Sequence, residues 1–306
     1  MAVARHHVEG RAAELDRPAA GMLRLRRLQD TMELTVRRIC CSTVLLAVCA
    51  AGLVGLARAQ PAADTIRDSL NLRYGVAGIK GRVLDKGFYV INYNDHWRIP
   101  YWSAYHLTAE DLKGTARRKD NFRPDLGVPE KVRSTLEDYK GKTFDRGHLA
   151  PAGDFTRSEE AMAATFLLSN MSPQYPRTNE GIWQELEGQI RDMIADAGEA
   201  WVVTGDAFMS KDSQPANPKL WMKRGRQNRV AVPTHLFDAI LTRDAKGRWC
   251  AYAFLVPNQP TENPNPTLKY RLPVDRLERI TGFDFFVGLD TAVQNRVESK
   301  VPAWPW

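Results

Sequence analysis

The chain has 306 residues, 43% of them apolar and 26% charged, with a formal net charge of +7 and a pI near 9.3. This apolar content in a chain of this length excludes intrinsic disorder and a disulfide-dependent miniprotein, and leaves room for one large domain or two small ones. The basic balance suits an anionic partner, but residues 1–59 hold 9 Lys/Arg against 5 Asp/Glu and the remainder carries only +3, so charge alone argues weakly for nucleic acid.

Residues 1–31 are Arg-rich and unpatterned, and Met32 makes a better beginning. Behind it come a charged segment ending in Arg37-Arg38, an apolar run over 39–56, and a small-x-small site, Ala57-Arg58-Ala59, before Gln60. This order predicts a secretory signal peptide over 32–59, and hence export to a bacterial periplasm or beyond. An uncleaved anchor is the competing reading, since about 18 apolar residues just span a bilayer. Ala and Gly dilute the run, however, and the exit site is well formed. A lipoprotein reading through Cys49 fits less well, with bulky Val48 before it. Cys40, Cys41 and Cys49 all lie in this leader, so the mature chain keeps Cys250 alone and has no internal disulfide.

Residues 60–77 read as a linker and 78–306 as one folded domain. The aromatic and β-branched runs at 88–93 and 100–107, separated by Asn94-Asp95, predict two strands of a hairpin, with Tyr105 and His106 as structural residues. The stretch 115–125 is a basic loop, Arg117-Arg118-Lys119, followed by one aromatic anchor, Phe122. It reads either as a solvated charge run or as a phosphate contact. Next come Asp145-Arg146-Gly147-His148, which put an acid, a guanidinium and an imidazole in four positions. A histidine exchanges protons near neutrality and an arginine holds an anion before it, which suits phosphate esters. Gly147 leaves the backbone free to aim Arg146 and His148 separately.

Downstream, Ser158 followed by two Glu and an apolar face predicts a short capped helix. A longer helix is expected over about 179–197, with Leu186, Ile190, Met193 and Ile194 facing the core. Asn179, Trp183 and Glu187 step by four and share a neighbouring face. Strands follow at 201–205, at 230–237 and around Cys250, which is expected to be a buried small hydrophobe. The loop 208–229 carries Lys219, Lys223, Arg224, Arg226 and Arg229 with Trp221 among them, the composition of a surface that grips a polyanion or simply of a soluble loop. Residues 258–266 form a Pro/Asn-rich loop, and 273–280 a late helix ended by Gly282.

The Asp145-Arg146-Gly147-His148 motif, the Ser169-Asn170-Met171-Ser172-Pro173-Gln174 segment, Asn179 and Glu187 occur in an order and near a spacing that resemble the DNA/RNA non-specific endonuclease family, which includes endonuclease G. The likeness extends over roughly residues 78–289. It implies an α+β fold, with a central antiparallel sheet flanked by helices and a ββα-metal finger carrying the site. It also implies Mg²⁺-dependent cleavage of DNA and RNA, single- and double-stranded, through backbone contacts that leave 5′-phosphate ends. Mn²⁺ is an alternative ion, because one amide ligand discriminates poorly.

The same resemblance implies roles at matching positions. His148 is the general base. Asn179 is the metal ligand, with helix N-capping as the competing use of its oxygen. Arg118, or Arg117 beside it, stabilises the transition state, and Arg146 contacts phosphate. Glu187 either accepts hydrogen bonds from metal-bound waters or pairs with Arg191 one turn on. Asp145 braces the loop and Asn170 tethers the finger to the His148 backbone. Apart from the resemblance, the composition of the two basic loops offers Arg117, Lys223 and Arg224 as further substrate contacts. Homodimers are frequent in the family, although no stretch here marks an interface. Zinc is disfavoured, since the histidines at 96, 106, 148 and 235 make no ligand pair and no cysteine partners exist. Two rivals stand beside this reading: a metal phosphodiesterase for small esters and a non-catalytic nucleic-acid-binding module.

Overall fold

The computed structural model describes residues 69–304 except 213, 225, 226 and 263–266. The leader, the first part of the linker and Arg226 lie outside the described residues. No helix among those described is long and apolar enough to cross a membrane.

The strands are β1 (Val76–Ala77), β2 (Arg82–Asp85), β3 (Val90–Asn94), β4 (Ile99–Thr108), β5 (Asp145–His148), β6 (Met171–Gln174), β7 (Glu199–Ala207), β8 (Leu220–Arg224), β9 (Gln227–Val232), β10 (His235–Arg243), β11 (Trp249–Pro257), β12 (Arg271–Leu272) and β13 (Asp284–Phe285). The α-helices are α1 (Glu159–Ala164), α2 (Gln184–Ala197), α3 (Val274–Thr281) and α4 (Thr291–Glu298). Seven strands form one antiparallel sheet in the order β12-β11-β10-β7-β4-β3-β2. The fold is α+β with a large antiparallel sheet, as expected.

The sheet is covered on both faces, which is why its strands read as nearly continuous apolar runs. On one face Trp102, Ala104, Trp201, Val203, Phe237 and Ala239 pack with Val274 and Leu277 of α3, Phe285, and Val297 of α4. On the other, Tyr105, Leu107, Val202, Leu236 and Ile240 meet Leu186, Ile190, Met193 and Ile194 of α2. These four α2 residues are the helical stripe expected from the sequence, and their burial seats the helix that leads out of the candidate site.

The β3–β4 hairpin forms as expected. Its turn is set by Asn94, whose Oδ1 accepts the backbone N–H of His96 and of Trp97, each at 2.9 Å. Tyr105 and His106 are structural: Tyr105 donates to Asp154 Oδ2 at 2.9 Å, and His106 pairs with Glu199 at 2.8 Å. Ser158 caps α1 through Ala161 N, and Gly282 ends α3 at φ 69°.

Five expectations are corrected. The long loop over 208–229 contains a hairpin, β8–β9, and the strand expected at 230–237 is divided at Pro233, which has no N–H for a ladder. Beyond that break β10 runs as a central strand. The helix expected from 179 begins instead as a π-helical turn, Thr178–Trp183, with Gly181 off helical geometry at φ −110°, ψ −113°, before α2 proper. Cys250 is half-buried near the sheet end rather than enclosed; burial, chiefly, pushes its thiol pKa up, which does not suit a nucleophile. Residues 70–77, read as linker, already take part in the fold, for Leu72 joins the core and β1 pairs with β13. Helix α4, capped by Asp290, went unread in the sequence.

Candidate active site

Strands β5 and β6 form a separate two-stranded ladder in which Asp145 faces Gln174, Arg146 faces Pro173, Gly147 faces Ser172 and His148 faces Met171. The glycine is required for space. A Cβ at Gly147 would stand 2.1 Å from the Cδ of Gln174, which is fully buried. Gly147 therefore lies in an ordinary strand, and its role is to admit the Gln174 side chain rather than to bend the chain. Gln174 in turn reaches back to the His148 carbonyl at 3.5 Å.

Strand alternation sends Arg146 and His148 to the same side, where Phe122 stands between them. The Arg146 guanidinium lies 4.2 Å from the Phe122 ring centre, and the His148 ring is 5.6 Å from Phe122 and 4.8 Å from Phe166, perpendicular to the latter. This aromatic wall leaves His148 7% exposed and lowers its pKa to about 3, through burial first and then through the charge of Arg118. Its Nε2 is buried without a hydrogen-bond partner. No bond to Nδ1 exists among the described residues, so Nδ1 is the nitrogen left to meet water.

Arg118 belongs to this group. Its guanidinium lies 5.2 Å over Phe166, its Nε is held by Asp120 at 2.6 Å, and its charge acts on both His148 and Glu187. Arg117 is exposed beside it, while Lys119 is taken by Glu159.

The other side of β5 carries Asp145, whose Oδ2 accepts the Asn179 side-chain amide at 3.0 Å. The π-helical turn presents Asn179, so it is not an N-cap, and the competing capping use of its oxygen falls away. With Nδ2 bound to Asp145, Asn179 Oδ1 has no partner among the described residues. Such a braced amide oxygen fits a hard, strongly hydrated cation such as Mg²⁺, which keeps most of its waters and needs few protein ligands.

Glu187 lies two turns further on. Part of the residue is exposed, but its carboxyl sits deep, lining a cavity of about 10 Å³ with Tyr105, Asp154, Trp183, Thr204 and Asp238. Burial, then the neighbouring Asp154, pushes its pKa up to about 8. The alternative pairing with Arg191 does not form as an ion pair, because Arg191 binds Asp154 at 3.0 Å. Glu187 thus has no hydrogen-bond partner among the described residues and remains able to accept from waters.

Asn170 makes a tether, but to different backbone from that expected. Its Oδ1 accepts from Ser103 Oγ and Ala150 N, while its Nδ2 donates to Ala150 O and Thr165 O, at 2.8 to 3.0 Å. It grips Ala150, two residues past His148. Asn258, passed over as loop, does similar work: its Oδ1 accepts Tyr175 N and its Nδ2 serves Pro173 O and Pro233 O. Only the position of an Asn in an otherwise irregular stretch could have signalled it.

Lys223 and Arg224 are exposed at the free end of the β8–β9 hairpin, whose Trp221 and Met222 pack near Met171 and Leu168 behind the His148 strand. Two members of the expected basic surface are engaged elsewhere. Arg229 binds Asp138 at 2.9 Å, and half-buried Trp221 meets His96 edge-on instead of offering a free stacking face.

A family model described as DNA/RNA non-specific endonuclease matches residues 68–292. The chain belongs to the DNA/RNA non-specific endonuclease family. The match takes in every residue of the candidate site, from Arg117 to Arg224. Among relatives of this endonuclease, Nuclease C1 of Cunninghamella echinulata var. echinulata is 36% identical over 225 residues, covering 72% of this chain and 89% of the relative. Mitochondrial Endonuclease G of Homo sapiens is 33% identical over 214 residues, covering 70% and 72%. A chain from the crystal structure of the EndoG/EndoGI complex superposes with TM-score 0.66 at 28% identity, covering 73% of this chain and 93% of that one.

Proposed function

We propose that this endonuclease hydrolyses phosphodiester bonds of DNA and RNA with His148 as general base and a Mg²⁺ hydrate held by Asn179, leaving 5′-phosphate ends. The observation that carries the reading is the setting of His148: a buried imidazole, kept neutral near pH 7 by burial, walled by two phenylalanines and flanked by two guanidinium groups. A neutral imidazole with Nδ1 turned to solvent accepts the proton of an attacking water. Arg118 and Arg146 meet the charge that grows on the phosphoryl oxygens, and both are anchored on aromatic faces; Arg118 is also steadied through its Nε by Asp120, while no carboxylate pairs with Arg146 among the described residues. Asp145 orients the Asn179 amide so that its oxygen faces the ligand side. Glu187 accepts hydrogen bonds from the ion's water shell and fixes its orientation. A bound Mg²⁺ supplies charge stabilisation at the phosphate and at the leaving oxygen. The β5–β6 ladder followed by the π turn and α2 corresponds, in this reading, to the ββα-metal finger.

Arg117, Lys223 and Arg224 track the backbone of a long polyanion, and none of the proposed contacts addresses a base edge, which accounts for cutting without sequence preference. We extend the proposal to an exported protein, matured by removal of residues 32–59; amino-terminal sequencing of the secreted product tests that extension.

The deciding experiment digests supercoiled plasmid and single-stranded RNA with the purified protein, in Mg²⁺ or EDTA, beside His148→Ala. Cleavage of both polymers is expected only from wild type and only with metal. The variant should lose about 10²- to 10⁴-fold in rate, the range of general-base catalysis. A folded wild type that leaves both polymers intact under Mg²⁺ and Mn²⁺ overturns the proposal.

A further inference from the structure

On the sheet face opposite α2, three carboxylates from two helices converge: Asp275 and Glu278 of α3 and Glu298, the last residue of α4. One oxygen from each lies within 4.8 Å of the others. Glu298 is 3% exposed, and its Oε1 is buried without any hydrogen-bond partner. Among the described residues no Lys or Arg forms an ion pair with any of the three; exposed Arg279 acts on Glu278 only at a distance. A fourth acid, Asp284, stands beside them. Gln294 donates to Asp284 Oδ1 at 2.9 Å, and Glu278 Oε1 accepts Phe285 N at 2.8 Å.

Buried carboxylates without cations are costly unless a proton or a metal ion neutralises them. The spacing suits an ion. Oxygens bound to one Ca²⁺ at about 2.3–2.6 Å stand no more than about 5 Å apart. The donors are all hard oxygens, the ligand type that Ca²⁺ takes. We propose that Asp275, Glu278 and Glu298 form a divalent-cation site of the calcium class that fastens α4 to α3 and is separate from the nuclease centre. Glu298 lies beyond residue 292, where the family match ends.

The test uses the full-length chain in an Asn179→Ala background, which removes the proposed active-site ligand. Calcium chloride is titrated calorimetrically into this protein and into the same background carrying Glu298→Gln or Asp275→Asn. The expected result is one Ca²⁺ bound by the background protein and none by either double variant. At Ca²⁺ about 100-fold above the dissociation constant, Tm should rise by roughly 5 to 10 °C in the background protein alone. Asp275 is half-buried, so Asp275→Asn keeps the test decisive if the Glu298 variant fails to fold. Equal Ca²⁺ stoichiometry in all three proteins overturns the proposal. So does a Tm in EDTA that Ca²⁺ leaves unmoved, which would mean that the carboxyl groups hold protons instead.

Discussion

At the scale of single residues the site depends on what each neighbour leaves free. Asp145 occupies the nitrogen of Asn179 and releases its oxygen; Asp154 occupies Arg191 and releases Glu187; Phe122 holds Arg146 without cancelling its charge, whereas Arg118 over Phe166 shares its charge with Asp120. Gly147 belongs to the same logic, since its missing Cβ is where Gln174 sits. Gly147→Ala is therefore expected to destabilise the protein by about 1 to 3 kcal/mol, the cost of overpacking a filled interior. Thermal denaturation would read this as a lowered Tm. An unchanged Tm would mean that Gln174 moves aside at no cost, and with it the brace on the His148 carbonyl.

At the scale of elements, the β5–β6 ladder and the β8–β9 hairpin divide the work. The ladder positions chemistry by backbone register and is held from behind by Asn170 and Asn258. The hairpin carries Lys223 and Arg224 into solvent while its base packs near Met171. Replacing both cations with alanine should leave folding intact and weaken polymer binding. The plot of log affinity against log salt should become shallower by about 2 on duplex DNA, close to one unit for each phosphate that the variant leaves without its cation. Hydrolysis of a small phosphodiester by the same variant should be unchanged. If polymer binding keeps its full salt slope, the hairpin is not part of the substrate surface.

At the scale of the whole molecule, the sheet separates two acidic pockets, one under α2 with Glu187 and Asp238 and one between α3 and α4 with Glu278 and Glu298. All four carboxyl groups have folded pKa values raised by burial, to about 8, 7, 7 and 9 respectively. A raised carboxyl binds its proton more tightly in the folded state. Its stabilising contribution is therefore complete below the unfolded value near 4 and is lost as pH rises through the folded value. His148 has the opposite sign, for its lowered pKa costs stability only as pH falls from 6.5 toward 3. In EDTA, Tm should accordingly decline from pH 5 to pH 9. Glu298→Gln should flatten the upper part of that decline, and added Ca²⁺ should do so in wild type. A Tm that rises across this range would show that the carboxylates already ionise without penalty.

The sequence by itself determined the family, the sheet's apolar strands, the α2 stripe and the residue types of the site, because these rest on local order: a four-residue motif, periods of 2 and 3.6, and the spacing of Asn170, Asn179 and Glu187. It also placed Ser158 and Gly282 at helix ends, where the cap residue carries its own signal. What depended on distant partners could be decided only by the tertiary structure. Asn170 could not be matched to Ala150, nor Arg191 to Asp154, because those pairs are 20 and 37 residues apart. The π turn at Asn179 escaped notice because its composition is that of an ordinary helix start. The β8–β9 hairpin was hidden because its alternation is submerged in Lys and Arg. Glu298 carried no signal of its own in the sequence; packing α4 against the sheet buries it and turns it toward Asp275 and Glu278.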